Sequence, residues 1–171
     1  MKKINIVKEN SDFSNIINNG KFVKDKNLII YSLPNNLNKS RALMKERNID
    51  AYIIPTNDFH GSEYVGEYFK TRSFISGFTG SAGTCVVTLN SAGLWTDGRY
   101  FLQAEKELEN SSIDLYRSLE PGVPSIFEFL NKTLGNKCKI GFDGRVVSVD
   151  FVEELKKELI SKELEISYQE D

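Results

Sequence analysis

The sequence predicts a layered α/β domain built on a mixed β-sheet. Three observations point there. Apolar runs of strand length recur at 51–54, 84–89, 92–95 and 139–142. Stretches with helical spacing fall between them. Two of the runs are separated only by Asn90-Ser91, a hairpin connection, so the sheet carries an antiparallel pair as well as crossovers.

Taken in order, residues 1–34 are the least patterned. Asn and Lys are the commonest polar residues there, with an apolar run, Leu28-Ile29-Ile30-Tyr31, ahead of Pro34. We expect an irregular arm with one strand there, and the domain proper over 35–171. Leu37, Leu43, Met44 and Ile49 are compatible with one helical stripe. Ala51-Tyr52-Ile53-Ile54 then reads as a buried strand that stops at Pro55. After the hairpin, Phe101, Leu102 and Leu108 carry helical spacing over 99–108. Residues 113–116 alternate as a strand, and 123–134 form a helix with Pro124 tolerated in its first turn. A short strand at 139–142, a charged amphipathic helix at 149–160 and an edge strand at 164–168 complete the set.

Composition narrows the function classes. At 171 residues, 40% hydrophobic and 27% charged, the chain suits one soluble domain with a real core. The net charge of −2 is uneven: residues 1–40 hold seven lysines against three acids, +4, which leaves −6 for the rest. Neither value suits a nucleic-acid binder, whose basic face would interleave with aromatics. No stretch has the length of a signal peptide or a membrane span, so no membrane partner is expected and a cytoplasmic setting follows. Cys85 and Cys138 lack both a disulfide framework and metal-ligand spacing. Cys85, in Cys85-Val86-Val87, is expected to be reduced and buried.

The densest motif is Ser76-Gly77-Phe78-Thr79-Gly80-Ser81-Ala82-Gly83-Thr84. It is no P-loop, because no Lys-Ser/Thr pair follows its glycines. A dinucleotide fingerprint would open a helix, whereas here a strand follows. A nucleophile elbow needs Gly-x-Ser-x-Gly, not Gly-Ser-Ala-Gly. What remains is a tight turn built on Gly77, Gly80 and Gly83, feeding a core strand. His60 is the single histidine. A Ser81–His60 couple or a metal site with Asp58 and Glu63 is a weak reading of it; local hydrogen bonding, with Ser62 as an N-cap, is the simpler one. Asp50, Asp58, Asp97, Asp143 and Asp150 fall at element ends, where they would either cluster around Mg²⁺ or serve as local caps. In Trp95-Thr96-Asp97-Gly98-Arg99-Tyr100, two readings stand side by side. Trp95 and Arg99 either present ligand-facing groups at a strand–helix junction, or Trp95 packs in the core while Arg99 pairs with Asp97.

Four stretches taken together carry a family resemblance. They are Ala51-Tyr52-Ile53-Ile54-Pro55; His60-Gly61-Ser62-Glu63-Tyr64; residues 74–84; and Leu94-Trp95-Thr96-Asp97-Gly98-Arg99-Tyr100-Phe101-Leu102-Gln103-Ala104. In order and spacing they are similar to the first domain of long-form Xaa-Pro aminopeptidases, over about residues 37–160. The resemblance implies a creatinase/prolidase-type N-terminal domain with helices on both sides of its sheet. It implies a parent enzyme that removes the residue preceding a proline with two metal ions, usually manganese. Two Asp, one His and two Glu hold them in a later pita-bread domain that is absent here. It further implies a homodimer and a first domain that shapes the active-site mouth. The substrate-entrance role then falls on Arg99, with Trp95, Asp97 and His60 as its neighbours, and no metal or catalytic residue on this chain. A stand-alone α/β binding or scaffolding module is the alternative from another class; a small metal-dependent hydrolase is a third.

Overall fold

The computed structural model describes residues 26–169, with side chains over 36–168. Most of the arm expected at 1–34 therefore lies outside the described residues. From Lys26 the chain is helical: α1 spans Lys26–Glu46, so the strand expected at 28–31 is corrected to helix. Four apolar residues in a row fit either state, and length decides between them. On α1, Leu37 and Met44 stand seven residues apart, nearly in line, and both are buried. Leu43 is rotated by about 100° from Met44 and is 52% exposed, so it leaves the expected stripe. Ile49 lies past the helix. Asn48, at φ 53°, ends it as a left-handed cap, with Ile49 N–H donating back to Met44 O and Asn48 N–H to Lys45 O.

Six strands follow: β1 (Ala51–Pro55), β2 (Thr84–Thr88), β3 (Ala92–Thr96), β4 (Asp114–Arg117), β5 (Lys137–Asp143) and β6 (Glu163–Gln169). Their spatial order is β4-β3-β2-β1-β5-β6. β2 pairs antiparallel with β1 and β3, and the pairs β1–β5, β3–β4 and β5–β6 are parallel. Every strand but β2 thus points the same way, the sheet is mixed, and β6 is an edge.

Period-two alternation divides the core in two. Ile54, Cys85, Val87 and Leu94 face one side, where α1, α2 (Thr71–Ser76) and α3 (Phe101–Glu107) pack through Leu37, Met44, Ile75 and Ala104. Ala51, Ile53, Val86, Trp95 and Ile140 face the other, covered by α4 (Ile126–Thr133) and α5 (Val149–Glu158) through Leu130, Leu155 and Phe129. Two details differ from expectation. Leu102 is 81% exposed, and it is Ala104 and Leu108, four apart, that bury. Pro124 sits outside α4: Ser125 is the N-cap, in a reciprocal capping box with Glu128.

Candidate functional site

The strand directions decide where the motifs meet. β1, β3 and β5 all end at one edge of the sheet, and antiparallel β2 begins there. The loop after β1 (57–70), the glycine loop before β2, the Asp97-Gly98-Arg99 turn after β3 and the Asp143-Gly144-Arg145 turn after β5 therefore share that edge.

The glycine loop is held by a residue that sequence reading missed. Arg72 is 4% exposed on α2. Its Nε donates to Thr56 Oγ1 (2.6 Å), Nη1 to Phe78 O (3.0 Å) and Nη2 to Gly80 O, while its guanidinium lies over the Phe78 ring. Burial pulls its pKa down to about 10. Thr56 Oγ1 in turn donates to Gly83 O, and Thr96 Oγ1 to Ala82 O. Gly77 closes α2 at φ 75°, Gly83 stands at φ 153°, and a Cβ on Gly80 would meet the Phe78 ring at 2.2 Å. A lone arginine in a short polar helix gives no periodic signal, which is why the sequence hid Arg72.

Trp95 belongs to the second core. It is 5% exposed, stacks on Tyr116 at 4.2 Å and donates Nε1–H to Pro124 O. It lies beneath the turn at Asp97 and also lines the cleft that runs from there to Ser125. Arg99 lies in that turn, two residues before α3 begins at Phe101, and its side chain is 71% exposed. It is forked on Asp97: Nε to Oδ1 at 2.9 Å and Nη2 to Oδ2 at 2.8 Å. That fork holds the Asp97 carboxyl below the usual range. Ser81 Oγ shares a 2.6 Å hydrogen bond with Tyr100 Oη, so its hydroxyl is engaged with phenol rather than imidazole.

His60 is exposed, and its backbone N–H and that of Ser62 both donate to buried Asp58 Oδ1. Asp58 is thus the local cap, in place of Ser62; the next helical turn, at Glu67–Phe69, starts from Gly66. These donors, Ser62 N–H foremost, hold the Asp58 carboxyl below its ordinary range. The five aspartates do not converge. Asp50 accepts Lys139 N–H at the opposite end of β1, Asp143 takes Arg145, and Asp150 opens α5. Among the described residues no group of three or more His, Cys, Asp or Glu is placed to hold a metal ion. No described helix is long and apolar enough to cross a membrane.

Among the described residues a cleft of ≈ 240 Å³ opens on this edge between Pro55, Asn57, Tyr68 and Arg145, with two larger ones beside it. One of ≈ 530 Å³ runs between Glu63-Tyr64-Val65 and Arg72, Gly80 and Ser81. The other, ≈ 610 Å³, lies between Asp97, Thr56 and the α4 start at Ser125, rimmed by Leu119, fully exposed at φ 70°. Arg99, exposed and forked on Asp97 at the border of the ≈ 610 Å³ cleft, carries a guanidinium that can bind a carbonyl or carboxylate.

Comparison with known proteins bears on the same residues. The family model of the Creatinase/Prolidase N-terminal domain matches residues 36–167. Aminopeptidase P2 of Arabidopsis thaliana is 52% identical over 120 residues, 70% of this chain and 17% of that protein. The X-prolyl aminopeptidase of Caenorhabditis elegans, a cytosolic enzyme with a di-nuclear active site, matches at TM-score 0.74 and 32% identity, covering 80% of this chain and 24% of that one. The N-terminal domain of the cytoplasmic peptidase PepQ from Mycobacterium tuberculosis H37Rv matches at TM-score 0.55 and 26% identity, over 80% of this chain and 93% of that domain. The chain spans about a fifth of the length of the curated relatives it matches.

Proposed function

The chain belongs to the creatinase/prolidase N-terminal domain family, and from that membership we propose that it is the non-catalytic first domain of a metal-dependent Xaa-Pro aminopeptidase. Such an enzyme removes the N-terminal residue that precedes a proline. The observation that carries this reading is the convergence of the four family stretches on one sheet edge, in a chain that covers about a fifth of its relatives. Residues 35–171 make up the domain in this reading and 1–34 an arm outside it.

The donor set on this chain does not fit a two-metal centre, since it has one exposed histidine and no acidic cluster among the described residues. The metals, manganese in this reading, belong to a pita-bread domain beyond these 171 residues, as does the bond-breaking chemistry. What this chain supplies is the mouth. Arg99 presents its guanidinium to a peptide with proline at its second position, Asp97 orients that guanidinium, Trp95 fixes the turn from beneath, and His60 lines the neighbouring loop. Homodimerisation of the parent and a cytoplasmic setting complete the proposal.

The test is a comparison of two preparations. The chain alone, incubated with Mn²⁺ and a Gly-Pro-type peptide, is expected to release no proline; turnover that survives repurification would overturn the assignment. Placed ahead of the remaining domains of a relative, in lieu of that relative's own first domain, it is expected to give a proline-directed aminopeptidase. A chimera that folds and binds metal but does not cleave favours the alternative, a stand-alone binding or scaffolding module.

A further inference from the structure

The tripeptide Asp-Gly-Arg occurs twice, at 97–99 and 143–145, each time where a parallel strand leaves the same sheet edge. The two turns are built alike. Arg145 N–H and Nε donate to Asp143 Oδ1 at 2.9 and 3.0 Å, and Nη2 to Oδ2 at 2.9 Å, the pattern seen at Arg99. Their exposure separates them. The Arg145 side chain is 24% exposed against 71% for Arg99, so Arg145 faces protein where Arg99 faces solvent.

What Arg145 faces is the root of the 57–70 loop. Its guanidinium lies over the Phe59 ring at 5.0 Å, and the Tyr68 side chain accepts a hydrogen bond from it. Phe59 meets Phe69 edge-on at 4.6 Å, and Phe69 meets Tyr68 at 5.0 Å. Beside them Asn57 Nδ2 donates to Val146 O at 2.8 Å. Both ends of the loop are thereby tied to the turn after β5. Between those ends, residues 60–64 are exposed, and the hydrogen bonds inside the stretch converge on Asp58: His60 and Ser62 N–H donate to its Oδ1 and Gly61 N–H to its backbone O. Glu63 and Tyr64, in that stretch, form the outer wall of the ≈ 530 Å³ cleft over Arg72 and Gly80.

We propose that Arg145 is a positioning residue: forked on Asp143, it latches the root of the 57–70 loop to the end of β5 and so sets where Glu63 and Tyr64 stand as the cleft wall. A planar cation does this in a way that lysine cannot, because one flat group both forks the carboxylate and covers an aromatic ring. A loop with so few buried contacts opens locally when its root is freed, while the sheet stays closed. The consequence for a substrate rests on the entrance reading above; the latch does not.

The experiment uses the whole 171-residue chain and reads the loop alone. His60, the single histidine, gives one imidazole signal from its middle. Hydrogen–deuterium exchange of residues 57–70 and the His60 ring-proton linewidth are followed in Arg145→Lys, Phe59→Leu and, as reference, Arg99→Ala. Losing the charged fork is expected to speed exchange in the loop roughly tenfold in Arg145→Lys. Its His60 line should sharpen, with exchange in β1, β2 and β5 unchanged. Phe59→Leu should move the same way by less, and Arg99→Ala should leave 57–59 and 68–70 as in the wild type. Wild-type loop behaviour in Arg145→Lys would mean that charge alone suffices and overturns the proposal. So would loosening of loop and sheet together, since Arg145 would then be an ordinary stabilising residue. Arg99 kinetics test the entrance separately, so either idea can fail without the other.

Discussion

Arg99 and Trp95 stand four residues apart, yet one side chain is 71% exposed and the other residue only 5%. That contrast assigns them different experiments. Asp97 takes Nε and Nη2 of Arg99, and Nη1 has no part in that fork. In an enzyme carrying this domain, Arg99→Ala and Arg99→Lys are each expected to lose about 2–3 kcal/mol of transition-state binding, roughly thirty- to 150-fold in kcat/KM. The melting temperature should hardly move, because an exposed ion pair contributes little to folding. Wild-type kinetics in both variants would leave Arg99 a partner of Asp97 and nothing more. Cys85 makes the opposite case. It is fully buried between Arg72 and the first core, and burial pushes its thiol up to about 12. Labelling by a thiol reagent in the native state should therefore wait for global unfolding, and fast labelling would contradict the packing.

At the scale of elements, what the sequence shows and what it hides separate by range of interaction. Strands β1, β2 and β3 are legible because their apolar runs are closed by Pro55, Asn90 and Asp97 before a helix could gain length, whereas the run at 28–31 lies inside a long helix. Helix ends were less so. The first turn of α4 begins after Ser125 rather than at Pro124, and Ser125 is recognisable as a cap only through the hydrogen bond that Glu128 returns. Ser125→Ala should cost about 1 kcal/mol, read as a drop in the denaturant midpoint at unchanged slope. The glycine loop depends on Arg72, whose burial rests on Thr56, Phe78 and Gly80 and leaves no periodic mark in the sequence. Arg72→Met keeps the volume but leaves Phe78 O and Gly80 O without their donor, so several kcal/mol should be lost. If the variant melts with the wild type, the loop is self-sufficient and Arg72 is incidental to it.

For the whole molecule, the edge on which the candidate site stands was not legible, since it depends on strand order and direction. Nothing in the run at 139–142 says that β5 lies parallel beside β1, or that Asp143 ends up on the same edge as Asp97 and Asp58. Once that is known, a property of the whole domain follows from three residues. Asp58, Asp97 and Asp143 are each held below the ordinary carboxylate range: Asp58 by the Ser62 and His60 N–H groups, Asp97 by Arg99, and Asp143 by Arg145. A carboxyl with a lower pKa folded than unfolded binds fewer protons in the native state. Its contribution to stability is complete above its unfolded value of about 3.9 and is lost as pH falls through the folded value. The melting temperature should therefore be flat from pH 7 to about 5 and decline below about 4. The decline should begin at this edge, with exchange in the 57–66 loop rising before exchange in β2 or β5. Salt should soften the part due to the exposed Asp97–Arg99 pair more than the part due to buried Asp58. Asp58→Asn isolates the cause, because an amide oxygen still accepts both N–H groups without a charge to titrate. That variant should be slightly less stable than the wild type at pH 7 and converge with it below pH 3. A constant gap between the two across the whole range would show that the Asp58 cap works by geometry alone, and that the acid sensitivity of the domain arises elsewhere.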